Sequence, residues 1–131
     1  MAAIPAIAVF ARAPIAGKTK TRLIPALGPE GAAALYRCFL LDTLELLRAL
    51  PAHIIVAAAD HDAVTSLSAL LESVELVADL MVQSGETLGE RMANAVRAAL
   101  SCNHRAAVVI GSDVPDLPPS LIGRALDLTN S

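Results

Sequence analysis

Four cations crowd one short stretch of the chain. Arg12, Lys18, Lys20 and Arg22 lie within Ala11-Arg12-Ala13-Pro14-Ile15-Ala16-Gly17-Lys18-Thr19-Lys20-Thr21-Arg22-Leu23. Lys18, Lys20 and Arg22 are spaced two apart, so an extended segment carries them on one side. Gly17 has no Cβ and lets the backbone approach an anion closely, and Thr19 and Thr21 add hydroxyl donors. Such a set suits a diphosphate, which takes charge-assisted hydrogen bonds from ammonium and guanidinium groups. A solvated charged loop is the competing reading. Gly17-Lys18-Thr19 also mimics the end of a P-loop. That motif requires Gly at position 12, which is Arg here, and Pro14 removes a backbone donor from the would-be cradle.

A second group follows an apolar run near the C-terminus, Val108-Val109-Ile110-Gly111-Ser112-Asp113-Val114-Pro115-Asp116-Leu117-Pro118. Asp113 comes directly off the run, and Gly111 clears space beside it. A carboxylate so placed can hold Mg²⁺ or Mn²⁺, which takes one or two carboxylates together with substrate phosphates. Asp116, among prolines, fits a turn or cap better. The third group is Gln83-Ser84-Gly85-Glu86-Thr87-Leu88-Gly89-Glu90-Arg91-Met92. Gln83 and Gly85 can offer hydrogen bonds to a nucleobase edge, and Arg91 can reach a phosphate or pair with Glu90 or Asp113. Taken alone this stretch is a well-capped helix start. His53, His61 and His104 show no ligand spacing and read as surface or structural residues.

The elements that must position these groups alternate. Residues 4–11, 54–59 and 106–110 are short apolar runs that read as buried strands, and a further strand falls within 74–82. Residues 12–28 and 111–119 read as polar loops. Pro29 suits the first turn of a helix that carries Leu35, Tyr36, Phe39, Leu40, Thr43, Leu46, Leu47 and Leu50 at helical spacing. Asp60 caps a helix over 62–71. Thr87 and Glu90 form a capping box for a helix whose apolar face is Leu88, Met92, Ala95, Val96 and Ala99. A last helix spans 120–129. Alternation of this kind implies an α/β fold with a mostly parallel sheet in three layers, helices on both faces. The usual doubly wound order is 3-2-1-4, and ligands bind where the chain reverses direction, outside the carboxyl ends of the strands. The loops bearing the cations and Asp113 both leave from that point.

Composition narrows the field. A chain of 131 residues with 55% hydrophobic residues is the size of one domain, with no Trp, one Tyr and two Phe. Its core must be aliphatic, and it lacks the aromatic surface that stacks nucleic-acid bases. A net charge of −3 with no basic run argues against nucleic acid and acidic membranes as partners. Cys38 and Cys102 are too few for a disulfide framework, and Cys38 is expected as a buried thiol on the first helix. With no leader-like start and no apolar run of membrane-spanning length, a cytoplasmic location is expected.

Together the three groups resemble a known family, the bacterial GT-A-like nucleotide-diphospho-sugar transferase homologues (radical-SAM/selenoprotein-domain-associated glycosyltransferases). The matching residues are Phe10-Ala11-Arg12-Ala13-Pro14, Lys20-Thr21-Arg22-Leu23, Pro25 and Leu27-Gly28. Leu41-Asp42-Thr43-Leu44, Gln83 with Leu88-Gly89-Glu90-Arg91-Met92, and Gly111-Ser112-Asp113-Val114-Pro115-Asp116-Leu117 continue the match. Val114 stands where the family usually has Cys, so no thiol chemistry is assigned there. The resemblance implies a Rossmann-like GT-A fold. It implies Lys20 and Arg22 near nucleotide phosphates, and Asp113 as the metal-binding acid for Mg²⁺ or Mn²⁺. The expected activity is glycosyl transfer from a nucleotide sugar. Guanylyltransferases with a related Lys-Ser-Arg-Leu loop make nucleotidyl transfer the alternative. Family members continue with a further strand and a segment similar to Pro-x-x-Asp-Gly-Gly-Tyr-Tyr-Leu, which is not found before Ser131. The expectation is therefore a domain over residues 1–131 lacking its C-terminal part. Its open edge is then one a homo-oligomer would cover, and a non-catalytic interaction module is the third reading.

Overall fold

The computed structural model describes residues 4–14, 24–102, 104 and 106–111. The apolar runs become strands and the amphipathic stretches become helices, in the order β1 (Ala6–Ala11), α1 (Ile24–Arg48), β2 (His53–Ala58), α2 (His61–Ser73), β3 (Asp79–Val82), α3 (Leu88–Ser101) and β4 (Ala107–Gly111). All three strand pairings are parallel, and the sheet order is β3-β2-β1-β4. This is the expected 3-2-1-4 arrangement.

Alternation along the strands decides what covers each face. Ile7, Val9 and Ala11 pair in register with Ile54, Val56 and Ala58, and one core cluster joins all six to Tyr36, Leu40, Leu44 and Leu47 of α1 and Leu67, Leu70 and Leu71 of α2. The other face carries Ala6 and Ile55, packed with Ala99 of α3, Met81 and Ala107. The helices thus lie on both faces, giving three layers. Leu40, Leu47 and Leu67 are at most 1% exposed, and each such burial stabilises the fold by roughly 1.5–3 kcal/mol.

Local signals set the helix ends. Asp60 adopts an extended backbone and its Oδ1 accepts from the Ala63 amide at 2.9 Å, capping α2. Thr87 does the same for α3, with Oγ1 accepting from the Glu90 amide at 3.1 Å. Glu90 reaches back one residue further than a standard capping box, taking the Glu86 amide at 2.8 Å. The segment before Pro29 differs from the expected loop: it already turns helically from Ile24, and Gly28 at φ 76°, ψ 163° breaks the element into two helices. Pro29 opens the long one, where its missing N–H costs nothing.

Two expectations about burial are corrected. Cys38 is exposed. The buried stripe of α1 runs through Ala32, Ala33, Tyr36, Leu40, Thr43, Leu44 and Leu47, and Cys38 lies two residues from Tyr36 and Leu40, about 200° round the helix. Leu88 and Met92, expected on the apolar face of α3, are 65% and 38% exposed. The helix packs through the small residues Ala95 and Ala99 further along. No described helix is long and apolar enough to cross a membrane.

Candidate functional site at the carboxyl edge of the sheet

The reversal in strand order lies between β1 and β4. Phe10 pairs with Gly111, so the chain leaves β1 at Ala11 and β4 at Gly111 from neighbouring positions, about 4.8 Å apart across the ladder. The segment with the four cations therefore departs beside the segment with Asp113. Gly17, Lys18, Lys20, Arg22 and Asp113 themselves lie outside the described residues. Arg12 is described: its side chain is exposed at the end of β1, and its amide donates to Tyr36 Oη at 2.9 Å. That bond ties the mouth of the first loop to α1.

The other side of the edge is a hydrogen-bonded rim. The parallel ladder runs one step past the strands, with the Ala59 amide on Ala11 O and the Gln83 amide on Ala58 O, both at 2.8 Å. Arg91 then bridges three groups. Its Nε donates to Gly85 O at 3.0 Å, and its Nη1 donates to Ala59 O at 3.1 Å and to Gln83 Oε1 at 3.2 Å. Gln83 Nε2 donates to Ala57 O at 2.9 Å, and Asn94 Nδ2 donates to Ser84 O at 2.8 Å. Gly85 sits at φ +130°, and a Cβ there would meet Glu90 Cβ at 2.9 Å and Arg91 N at 3.0 Å. The turn is thus closed against α3, and only glycine fits.

The structure brings Gln83, Gly85 and Arg91 together, a contact that the sequence reading did not anticipate. It does not pair Arg91 with Glu90: the guanidinium holds two backbone carbonyls and the Gln83 amide instead. Glu90 in turn occupies the start of α3, where its carboxylate sits at the positive end of the helix dipole. The Glu90 carboxylate and the Thr87 hydroxyl thus take up the Glu86 and Glu90 amides at that end.

Sequence reasoning missed one constellation. His53 and His104 stack at 4.9 Å with rings 16° apart, and His53 Nε2 lies 2.7 Å from Asp79 Oδ2. These residues mark the amino ends of the strands, away from the carboxyl edge. Their separation in sequence hid them; no local spacing signals such a contact. Among the described residues no group of three His, Cys, Asp or Glu side chains is arranged to hold a metal ion.

The parallel sheet, with its reversal in order between β1 and β4, is the Rossmann-like α/β fold expected from the sequence. The family profile described as "Uncharacterized protein conserved in bacteria (DUF2064)" matches residues 41–130, and the chain belongs to that family. A crystal structure of a protein from Desulfovibrio desulfuricans G20, described as a candidate nucleotide-diphospho-sugar transferase, is similar at 34% identity with a TM-score of 0.84. The match covers 95% of this chain and 54% of that one, so the chain spans about half the length of that protein. No curated protein matches the chain.

Proposed function

We propose that the chain binds the nucleotide diphosphate of a nucleotide sugar at this carboxyl edge, with a divalent metal, for glycosyl transfer to an acceptor. One observation carries the reading: β1 pairs with β2 on one side and β4 on the other, so the cationic and acidic segments leave from adjacent strand ends at the strand reversal. Similarity to the D. desulfuricans protein supports it. Lys20 and Arg22 neutralise the phosphates, with Arg12, Gly17 and Lys18 contributing from the same segment. Gln83, Gly85 and Arg91 form the nucleoside side of the rim. Asp113 holds Mg²⁺ or Mn²⁺ together with the phosphates, and the ion, when bound, stabilises charge on the leaving diphosphate. Lys20 and Asp113 are thus the groups nearest the chemistry.

Calorimetric titration of nucleoside diphosphates tests this, with and without Mn²⁺, on wild type, Lys20→Ala and Asp113→Asn. Loss of one charged hydrogen bond in Lys20→Ala weakens binding roughly tenfold to a hundredfold. Asp113→Asn abolishes the metal dependence. Equal, metal-independent affinities for all three overturn the reading. Nucleotidyl transfer is the second reading, favoured by Lys20-Thr21-Arg22-Leu23. Pyrophosphate release from a nucleoside triphosphate with an acceptor distinguishes it.

A further inference from the structure

The ladder between β1 and β4 has a phase. The Ala6 amide donates to Ala106 O at 2.9 Å, and the parallel register runs on from Ala6 beside Ala107 to Phe10 beside Gly111. In such a pair every second residue turns its amide to the same neighbour. Ala6, Ala8 and Phe10 thus face β4, and Arg12 is next in phase. The peptide between Ala11 and Arg12 agrees with this. Its carbonyl is taken from the β2 side by the Ala59 amide at 2.8 Å. A trans peptide points its C=O and N–H in opposite directions, and no described peptide bond is cis. The Arg12 N–H therefore faces the β4 side, where a continued ladder would send it to the carbonyl of the residue after Gly111. It goes to Tyr36 Oη at 2.9 Å.

Tyr36 reaches this point on a rigid support. It is 4% exposed, and its ring belongs to the core cluster of Ile7, Val9 and Ala11. Ala13 packs against the same cluster. The hydroxyl thus stands where a strand carbonyl would be, at the reversal in strand order. We propose that Tyr36 is a positioning residue: its hydroxyl takes the Arg12 amide out of the β1–β4 ladder, ends the pairing there and holds the mouth of the crevice open for a diphosphate. The inference rests on the nucleotide-binding reading above and adds to it what opens the site. The hydroxyl supplies direction more than strength. Water can replace a lost bond at little cost, but an amide released from Tyr36 can continue the ladder and draw the two chain exits together.

The experiment titrates UDP and inorganic pyrophosphate, each with Mn²⁺, into wild type, Tyr36→Phe and Tyr36→Leu by calorimetry, with urea denaturation alongside. Tyr36→Phe keeps the ring in the core and removes only the hydroxyl, whereas Tyr36→Leu removes both. Both variants should bind both ligands roughly threefold to tenfold more weakly. The factor should be the same for the two, although Tyr36→Leu unfolds at much lower urea. If Tyr36→Phe binds as wild type does and only Tyr36→Leu weakens, the residue merely supports the core, and the proposal is overturned. A wild type that binds neither ligand overturns the nucleotide reading itself, and the proposal with it. Should the variants fail to fold, wild type carries its own probe. The chain has one Tyr and no Trp, so its intrinsic emission comes from Tyr36 alone, and pyrophosphate does not absorb there. A saturable change in that emission, with the calorimetric midpoint, is the expected result. Constant emission while calorimetry records binding overturns the proposal.

Discussion

Replacing Gly85 with alanine probes the rim, and Gly28 provides the comparison. Both glycines have positive φ, +130° and +76°. A non-glycine residue held in such a region costs roughly 1–3 kcal/mol at either position. The surroundings then separate them. At Gly28 an added Cβ meets nothing within 4 Å. At Gly85 it meets Glu90 Cβ at 2.9 Å and Arg91 N at 3.0 Å. Neither atom is the far end of a flexible side chain, so the first turn of α3 must shift, at an overpacking cost of roughly 1–3 kcal/mol more. Gly85→Ala should therefore lose about 3–4 kcal/mol in total, a large share of the ~7–20 kcal/mol expected for a chain of this length. In thermal terms that is a fall of roughly 10–15 °C. Gly28→Ala should lose about half as much or less, from the backbone term alone. Urea denaturation of wild type and both variants, fitted with a common slope, gives the two differences. A Gly85→Ala protein as stable as Gly28→Ala would refute the packing argument.

Further outcomes follow from single contacts. Leu40 is fully buried among strand and helix residues, so Leu40→Ala should cost about 2–5 kcal/mol in the same denaturation assay. Asp60→Ala removes the α2 cap and should cost about 1 kcal/mol. Asp79 is 75% exposed in its contact with His53, so Asp79→Ala should change stability by less than about 1 kcal/mol. Both cysteines are exposed, so a thiol reagent should label Cys38 and Cys102 in the native protein without denaturant, and labelling only after unfolding would contradict the helix phase described for α1.

Features encoded within a few residues were legible in the sequence. The apolar runs announced β1, β2 and β4, and Asp60 and Thr87 announced their helix ends, because cap and capped amide lie three residues apart. The strand order was legible through a general topological preference rather than through any residue. The roles of Arg91 and Gln83 were legible only as a neighbourhood. Their partners Ala59 and Ala57 lie 32 and 26 residues away, and a sequence cannot say which of several carbonyls or phosphates a guanidinium will choose. The His53–His104 stack escaped for the same reason. Cys38 shows a subtler limit: an apolar side chain close to the buried stripe in number was opposite to it in angle. Leu88 and Met92 had the correct phase and still stayed exposed, because periodicity gives the face of a helix but not how far along it the cover extends.

The contact of α3 with the sheet runs through methyl groups, Ala95 and Ala99 each 1% exposed, with Ala6 on the opposing strand. Alanine here works as a shim of minimum thickness. Arg91 rides on the same rod, and its planar head reaches the strand ends only because the rod lies this close. Ala99 is eight residues further along, about 12 Å away on an α-helix. A bulkier residue at that distance would lift the rod and draw the guanidinium off its carbonyls without touching any group of the rim. The spacing between helix and sheet is thus a setting for the far end of the molecule, adjustable by side-chain volume alone.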